Sequence, residues 1–329
     1  MKNIFEKSIV IVSALLIVVL AALIIIIPDK EISQKENRVL QQLPTFTFEK
    51  LKNGDLTEQI ARYLTDQFPF RDGFVSLKAY CELALLKQEN NGVVYGKGGV
   101  LIPRGEIEND RLEENLKAIS KLSAAVEKEI VIAPLPRTVD VYKNSLPKAY
   151  PYENEARIWQ KLFASNKKAL DLRDVLEVDG SYYKTDHHWT SLGAFYAYQA
   201  YCEAKGLKVP EFSDATFTEV SDEFLGTVHS KLNLEISKDS MHTVTLPNTP
   251  SKIQMTVDMA EKFNSLYNDE FLSQKDKYSY YLDGNHALTE IASNSEGKGT
   301  LLIIKDSYSH CFAPLTLGDY QKVYLVDFR

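Results

Sequence analysis

Cysteine is scarce in this chain of 329 residues: Cys81, Cys202 and Cys311 stand far apart, and no C-x-x-C occurs. An exported fold held by disulfides shows an even, closely spaced set, so this one relies on its apolar core, with at most a single bridge left open to it. Positive charge is short as well, with 38 Lys and Arg against 45 Asp and Glu for a net charge of −7. Nucleic acid is held mainly by neutralising its phosphates, which excludes it as a partner. The one Gly-rich stretch, Gly96-Lys97-Gly98-Gly99, lacks the Lys-Ser/Thr of a phosphate loop. His229, His242, His286 and His310 show none of the spacings that gather three or four zinc ligands. Neither a metal nor another cofactor is expected. Repeats and low-complexity tracts are missing too, and 44% hydrophobic with 25% charged residues is the make-up of an ordinary globular domain.

What is present begins at the N-terminus. Ser8 to Ile27, SIVIVSALLIVVLAALIIII, is a run of 20 residues without a charge, about the 20 needed to cross the hydrocarbon core as a helix. Lys2 and Lys7 precede it, which predicts a cytoplasmic N-terminus and a single pass, with everything after it extracellular. A cleaved signal peptide is the alternative, but the run ends in four isoleucines and Pro28-Asp29 rather than a small-x-small site. Residues 1–28 are therefore expected as cytoplasmic start and membrane anchor, polar residues 29–55 as a stalk, and 56–329 as the extracellular domain.

Within that domain a helix is predicted near Leu56–Leu64, ended by the DQFPFRD turn at 66–72. Two β-rich runs flank the 96–99 glycines as a hairpin, since glycine accepts positive φ freely. Leu112, Leu116, Ile119 and Val126 recur at helical spacing before a short apolar strand at Glu129–Ala133. The alternation repeats in Glu155–Phe163 and Ala169–Leu172, and again in Gly299–Ile304, a helix-like segment, and Val323–Val326. Strands apolar on both faces, alternating with helices, predict an α/β fold with a mostly parallel sheet. Residues 212–257, rich in Thr, Val and Ser, are expected as a β-rich insertion.

Two segments carry chemistry. In GTLLIIKDSYSHCF, Ser307 lies three residues past Ile304, where strand ends of a parallel sheet open into the ligand crevice. A helix starting near Ser309 would aim its first N–H groups at a developing oxyanion. The alternative is that Asp306, Ser307 or Ser309 merely caps that helix. A serine needs a base, and the base an orienting group; KTDHHWTS at 184–191 holds both. In an extended segment Asp186 and His188 project to one side and His187 to the other, so His188 is expected as base on Asp186, with Thr190 capping the next helix and Trp189 packed beneath the site. A metal on Asp186, His187 and His188 is the rival, disfavoured because adjacent histidines diverge; a helix start with satisfied histidines is the plain alternative.

TDHHWTSLGAFYAY resembles the signature of the DHHW proteins, which are similar to the alginate O-acetyltransferases and so to the SGNH hydrolase-like superfamily. SQKENRVLQQLP, DQFPFRD, VVYGKGGVLI and IIKDSYSHCF match in order, with the Asp-x-His block before the serine as in the circularly permuted alginate group. The resemblance implies an SGNH-like three-layer sandwich with Asp186 as orienting acid, His188 as base and Ser307 as nucleophile. It also implies an oxyanion asparagine, for which Asn285 in YLDGNHAL is the candidate. Lys305 departs from the family by standing where a Gly-Asp-Ser block has glycine. Relatives extend beyond the position of Arg329, so a truncated chain is expected.

The implied function is acyl, chiefly acetyl, transfer to or hydrolysis from a cell-surface polysaccharide. A transferase of this kind resembles systems in which a multi-pass membrane O-acyltransferase delivers the acyl group across the bilayer. The other class is a non-catalytic envelope protein that binds glycan or acts as a scaffold.

Overall fold

The computed structural model describes residues 2–328 except 34, 37, 105–108, 127, 149, 152–155, 166–168, 233 and 235. It divides into two compact units, Met1–Lys87 with Leu232–Leu234, and Gln88–Lys231 with Glu235–Arg329.

In the first unit α1 (Lys2–Ile26) contains one span, Glu6–Ile26, long and apolar enough to cross a membrane. The segment after it is not a bare stalk. Strands β1 (Ile32–Ser33) and β2 (Arg38–Val39) pair antiparallel, and helices α2 (Phe48–Asn53), α3 (Asp55–Asp66) and α4 (Arg71–Ala84) follow. Arg38 makes a two-pronged ion pair with Asp66, at 2.9 and 2.6 Å, and Arg71 donates to Glu36 at 2.7 Å. These pairs fasten residues expected as stalk onto α3 and α4, so the compact unit runs to Lys87 rather than breaking at 55.

The second unit opens with a three-stranded meander, β3 (Glu89–Asn90), β4 (Val93–Tyr95) and β5 (Leu101–Pro103). The hairpin expected at the 96–99 glycines joins β4 to β5: Gly98 and Gly99 take φ of 72° and 79°, a region closed to most side chains. Helices α5 (Asn109–Ala125), α6 (Thr138–Val141), α7 (Ala156–Ser165) and α8 (Arg173–Leu176) come next. The strands expected at 129–133 and 169–172 shrink to one parallel bridge, Ile132 to Ala169. Helix α9 (Ser191–Lys205) runs from Thr190, whose hydroxyl accepts from the Gly193 N–H at 3.2 Å, to Gly206 at φ 65°. Such a cap stabilises a helix by about 1 kcal/mol. Its buried side carries Ala194, Phe195, Tyr198, Tyr201 and Cys202.

Strands β6 (Thr216–Phe224) and β7 (Asp239–Thr245) form a separate antiparallel pair, with α10 (Thr227–Leu232) between them in sequence. The expected insertion, 212–257, thus contains this pair and also β8 (Ile253–Val257), which joins the main sheet. That sheet adds β9 (Glu261–Phe263), β10 (Leu288–Ser293), β11 (Thr300–Ile304) and β12 (Lys322–Val326) in the order β11-β12-β10-β8-β9. It is mixed, not mostly parallel: only β11 and β12 run parallel, while β10 is antiparallel to both β12 and β8, and β8 to β9. The reason lies in the connections. Parallel neighbours need a crossover, and α11 (Ser309–Thr316) supplies one between β11 and β12, whereas β8 and β9 are joined by a tight turn. The reading of two buried faces also fails at β11, whose Leu302 and Ile304 are exposed.

Ala313 and Leu317 pack with Met255, Val257, Ile291, Val323 and Leu325 in one core cluster. Burying each of these larger side chains contributes roughly 1.5–3 kcal/mol. The cluster seats the start of α11, and with it Ser307, at the end of β11. Among the described residues all three cysteines are free, and burial pushes the Cys311 thiol up to about 12, so it stays an uncharged core group.

Candidate functional site

The segment from Tyr182 to Trp189 folds back on itself. Tyr182 bridges Trp189 antiparallel, the Tyr183 N–H donates to the His188 carbonyl at 3.2 Å, and the Thr190 N–H to the Ser181 carbonyl at 2.8 Å. Residues 184–187 form the bend, and Asp239 holds it from outside: its carboxylate accepts from the N–H groups of Lys184 and Thr185 at 2.9 and 2.8 Å and from the Thr185 hydroxyl at 2.6 Å. Burial raises the Asp239 carboxyl above its usual range, and these three donors pull it back.

Asp186 turns its own side chain onto this bend. Oδ1 accepts from the His188 N–H at 3.0 Å, the aspartate-turn geometry that a short carboxylate makes two residues along. The same oxygen meets His188 Nδ1 at 2.5 Å. Oδ2 accepts from the Thr227 N–H at 2.6 Å and the Thr227 hydroxyl at 2.8 Å. Burial alone would push this carboxyl up; the charge and hydrogen bonding of His188 outweigh it, aided by His187, and Asp186 ends well below the usual carboxylate range. An ionised carboxylate only accepts, so His188 carries its proton on Nδ1. With the ring neutral, as a base requires, Nε2 is an acceptor, and the Ser307 hydroxyl donates to it at 2.7 Å. Asp186, His188 and Ser307, brought together from two segments, thus form one buried hydrogen-bonded line.

The bend corrects the extended picture of the histidines. His187 does not project away from His188: their rings lie 3.9 Å apart, and His187 Nδ1 meets the Thr227 hydroxyl at 2.8 Å. Burial lowers its pKa, Asp186 partly offsets that, and His188 adds to the lowering. Ligand atoms of Asp186, His187 and His188 all fall within 4.8 Å of one another, yet both His188 nitrogens are turned to Asp186 and Ser307. A cation there would have to break that line.

Trp189 is buried, and its indole N–H donates to the Tyr308 carbonyl at 2.8 Å, bracing the turn that carries the serine. The helix start is less open than expected. The Tyr308 N–H donates to Asp306 Oδ1 at 3.1 Å and the Ser309 N–H to the Asp306 carbonyl at 3.2 Å, so Asp306 occupies two of the three N–H groups from Ser307 to Ser309. Asn285 stands exposed in the turn where His286 meets Asp258 and Asp283. Besides His187, the rings against His188 are those of Tyr278 and Tyr308.

Four contributors escaped the sequence reading. Tyr278 stacks on His188 and donates to the Ser307 carbonyl at 3.3 Å. The Tyr308 hydroxyl donates to the His187 carbonyl. Thr227 fixes Asp186 from about forty residues away, and Gly226 lies so close that a Cβ there would sit 2.2 Å from Asp186 Cβ. Lys305 lies in a buried pair: its ammonium donates to Asp327 at 3.1 Å and to His310 Nε2 at 2.8 Å.

The comparisons with known proteins agree with the sequence signature. A family model described as DHHW protein matches residues 165–326, just under half of the chain. The probable alginate O-acetylase AlgJ of Pseudomonas syringae pv. tomato is 26% identical over 174 residues, covering 48% of this chain and 44% of that protein. The chain therefore spans less than half the length of that curated relative. A crystal structure of a DHHW family protein from Eubacterium siraeum superposes with a TM-score of 0.62 at 21% identity, over 73% of this chain and 84% of that one. Bacillus cereus PatB1 with a sulfonyl adduct gives 0.57 at 18%, over 72% and 86%. At those identities the two structures show a shared fold.

Proposed function

Starting from a chain similar to the DHHW proteins and to a probable alginate O-acetylase, we propose that it transfers an acetyl or similar acyl group to a cell-surface polysaccharide, or removes one, through Asp186, His188 and Ser307. The observation that carries this reading is the 2.7 Å hydrogen bond from Ser307 Oγ to His188 Nε2, with Asp186 on the opposite ring nitrogen. His188 takes the Ser307 proton as Oγ attacks the acyl carbonyl carbon. The tetrahedral intermediate collapses, the donor's oxygen leaves with the proton from His188, and the acyl group stays on Ser307. A sugar hydroxyl or a water then gives its proton to His188 and attacks the acyl-serine, and Ser307 leaves and is reprotonated. The apolar helix at the N-terminus would hold the domain on the outer side of the membrane, where a multi-pass membrane O-acyltransferase would supply acyl groups.

Ser307→Ala is expected to abolish acetate release from a small acetyl ester while the thermal unfolding midpoint is kept. Intact-mass detection of an acyl adduct on Ser307, and its fate with added oligosaccharide, separates transferase from esterase. Undiminished turnover in Ser307→Ala removes the assignment. A non-catalytic glycan-binding or scaffold role is favoured by one observation, the use of the Tyr308 and Ser309 N–H groups by Asp306. Failure of a sulfonyl reagent to label the purified protein at Ser307 would select that second reading.

A further inference from the structure

Helix α4 is apolar on two opposite sides. Val75 and Ala79 face inward, Ala79 fully buried. Phe74, Leu77 and Cys81 recur at i, i+3 and i+7, which puts them on one face, and that face is open: Phe74 is 50% and Leu77 57% exposed, and Phe70, the residue that leads into the helix, 70%. Arg71 and Lys78 on one border and Ser76 on the other divide the two apolar sides. A groove alongside runs from Leu64 and Phe68 to Phe74, with Arg71 and Lys78 in its lining. A soluble helix needs one apolar stripe, so a second one needs something to cover it.

The chain itself indicates the cover. The candidate membrane span ends at Ile26, and residues 29 and 30 are already fastened to the far end of α3. The Tyr63 hydroxyl donates to Asp29 at 3.1 Å. The Lys30 N–H donates to the Gln67 side chain at 3.0 Å, and the Gln67 amide returns a bond to the Lys30 carbonyl at 3.0 Å. Three residues reach no more than about 10 Å even when fully extended. Tyr63 and Gln67 are therefore held at the level where α1 would leave the bilayer, and Leu64 and Phe68 of the groove lie between and beside them in sequence. A tyrosine at that depth is what membrane interfaces favour.

We propose that the α3–α4 pair docks on the lipid surface, with Phe70, Phe74, Leu77 and Cys81 immersed to the roughly 5–10 Å of an interfacial helix and Lys78 at the headgroups. The proposal rests on the reading that α1 spans the membrane. It adds a second hold, which would keep the first unit lying on the bilayer instead of leaving it tethered by α1 alone.

The test uses the full chain in phosphatidylethanolamine–phosphatidylglycerol vesicles. Cys81, the one exposed cysteine of the three, carries an environment-sensitive fluorophore. Val12→Cys in a Cys81→Ser background carries the same dye within α1, and Glu58→Cys in that background, on the charged side of α3 with Arg62, serves as a polar-face control. The expected result is blue-shifted emission and quenching by lipid-borne spin label at both Val12→Cys and Cys81, neither at Glu58→Cys, and no dependence on the protein-to-lipid ratio. Phe74→Glu with Leu77→Glu should abolish the Cys81 shift and leave the α1 probe unchanged. A lipid-embedded α1 probe with a water-exposed Cys81 probe overturns the docking alone. A Cys81 shift that appears only at high protein density assigns the face to a second copy and also overturns it. A water-exposed α1 probe overturns the membrane reading itself, and the docking with it.

Discussion

The phenol ring of Tyr278 lies flat on the imidazole of His188, with ring centroids 3.9 Å apart and planes within 10° of parallel. The imidazole is thus fixed in three ways: Asp186 holds its edge, Ser307 donates to its far nitrogen, and Tyr278 sets its plane. A stacked ring pair contributes about 0.5–1.5 kcal/mol beyond area burial, enough for up to about a tenfold effect on rate if it is realised in orienting the base. Tyr278→Phe keeps the stack and loses the hydroxyl bonds to Ser307 and Cys311, and should retain esterase turnover within a few-fold. Tyr278→Leu keeps apolar volume without a ring and should lose about tenfold in kcat with little change in KM. Equal kcat values for the two variants would show that the stack does not orient His188.

Gly226 is a requirement of the acid and not of the backbone. Its φ lies outside the left-handed region, but a Cβ would fall 2.2 Å from Asp186 Cβ and 2.4 Å from Oδ2. Gly226→Ala must push the carboxylate off Thr227 or move α10. Overpacking of this kind costs about 1–3 kcal/mol, and turnover should fall together with the unfolding midpoint. Full activity and stability in Gly226→Ala would mean that the loop yields freely, and that Asp186 is not held from behind.

These contributors also mark the limits of what the residues alone disclose. The Asp-x-His spacing and the serine past a strand end were legible because their chemistry is local: a carboxylate reaches an imidazole two residues on, and strand ends open into crevices. The histidine directions differ from those of an extended segment because Asp186 bends the chain by accepting the N–H two residues on. Gly226, Thr227 and Tyr278 carry no pattern, since each acts through a contact made only when distant segments fold together. The sheet departs from a parallel pattern for a similar reason. Apolar strands alternating with helices resemble a parallel sheet, but pairing depends on which strand is inserted between which, and β10 slips between β8 and β12.

Asp186 makes stability depend on pH in a defined direction. Its folded pKa is depressed, so the unfolded chain takes up the proton first on acidification. The contribution is fully present above the unfolded value of about 3.9 and fades as pH falls through the lower folded value. Asp186→Asn should be less stable than the parent by a constant margin from neutral pH down to about 5, and the margin should shrink below about 4; denaturant titrations across that range check it. Its turnover should drop by about 10⁴-fold, as expected when an amide cannot hold the imidazole tautomer. A margin that widens in acid would contradict an ionised Asp186.

The departure at Lys305 has its own structural partner. Its side chain is 2% exposed and Asp327 5% exposed, the ammonium donates to that carboxylate at 3.1 Å, and it gives a second hydrogen bond to His310 Nε2 at 2.8 Å. Both charges have left water, so removing one strands the other, at a cost of about 3–5 kcal/mol, whereas replacing both by apolar groups is often near neutral. Lys305→Gly, which restores the glycine of a Gly-Asp-Ser block, should therefore be strongly destabilised instead of improved, and Lys305→Met likewise. Lys305→Met with Asp327→Leu should recover most of the lost stability. Because the Lys305 ammonium is bonded to Asp327 and His310, the double variant should keep its turnover per folded molecule, counted by titration with a sulfonyl reagent. A single Lys305 variant as stable as the parent would show that the pair is not coupled in solution. A recovered fold with lost turnover would instead place Lys305 in the chemistry, through His310 and the turn that carries Ser307.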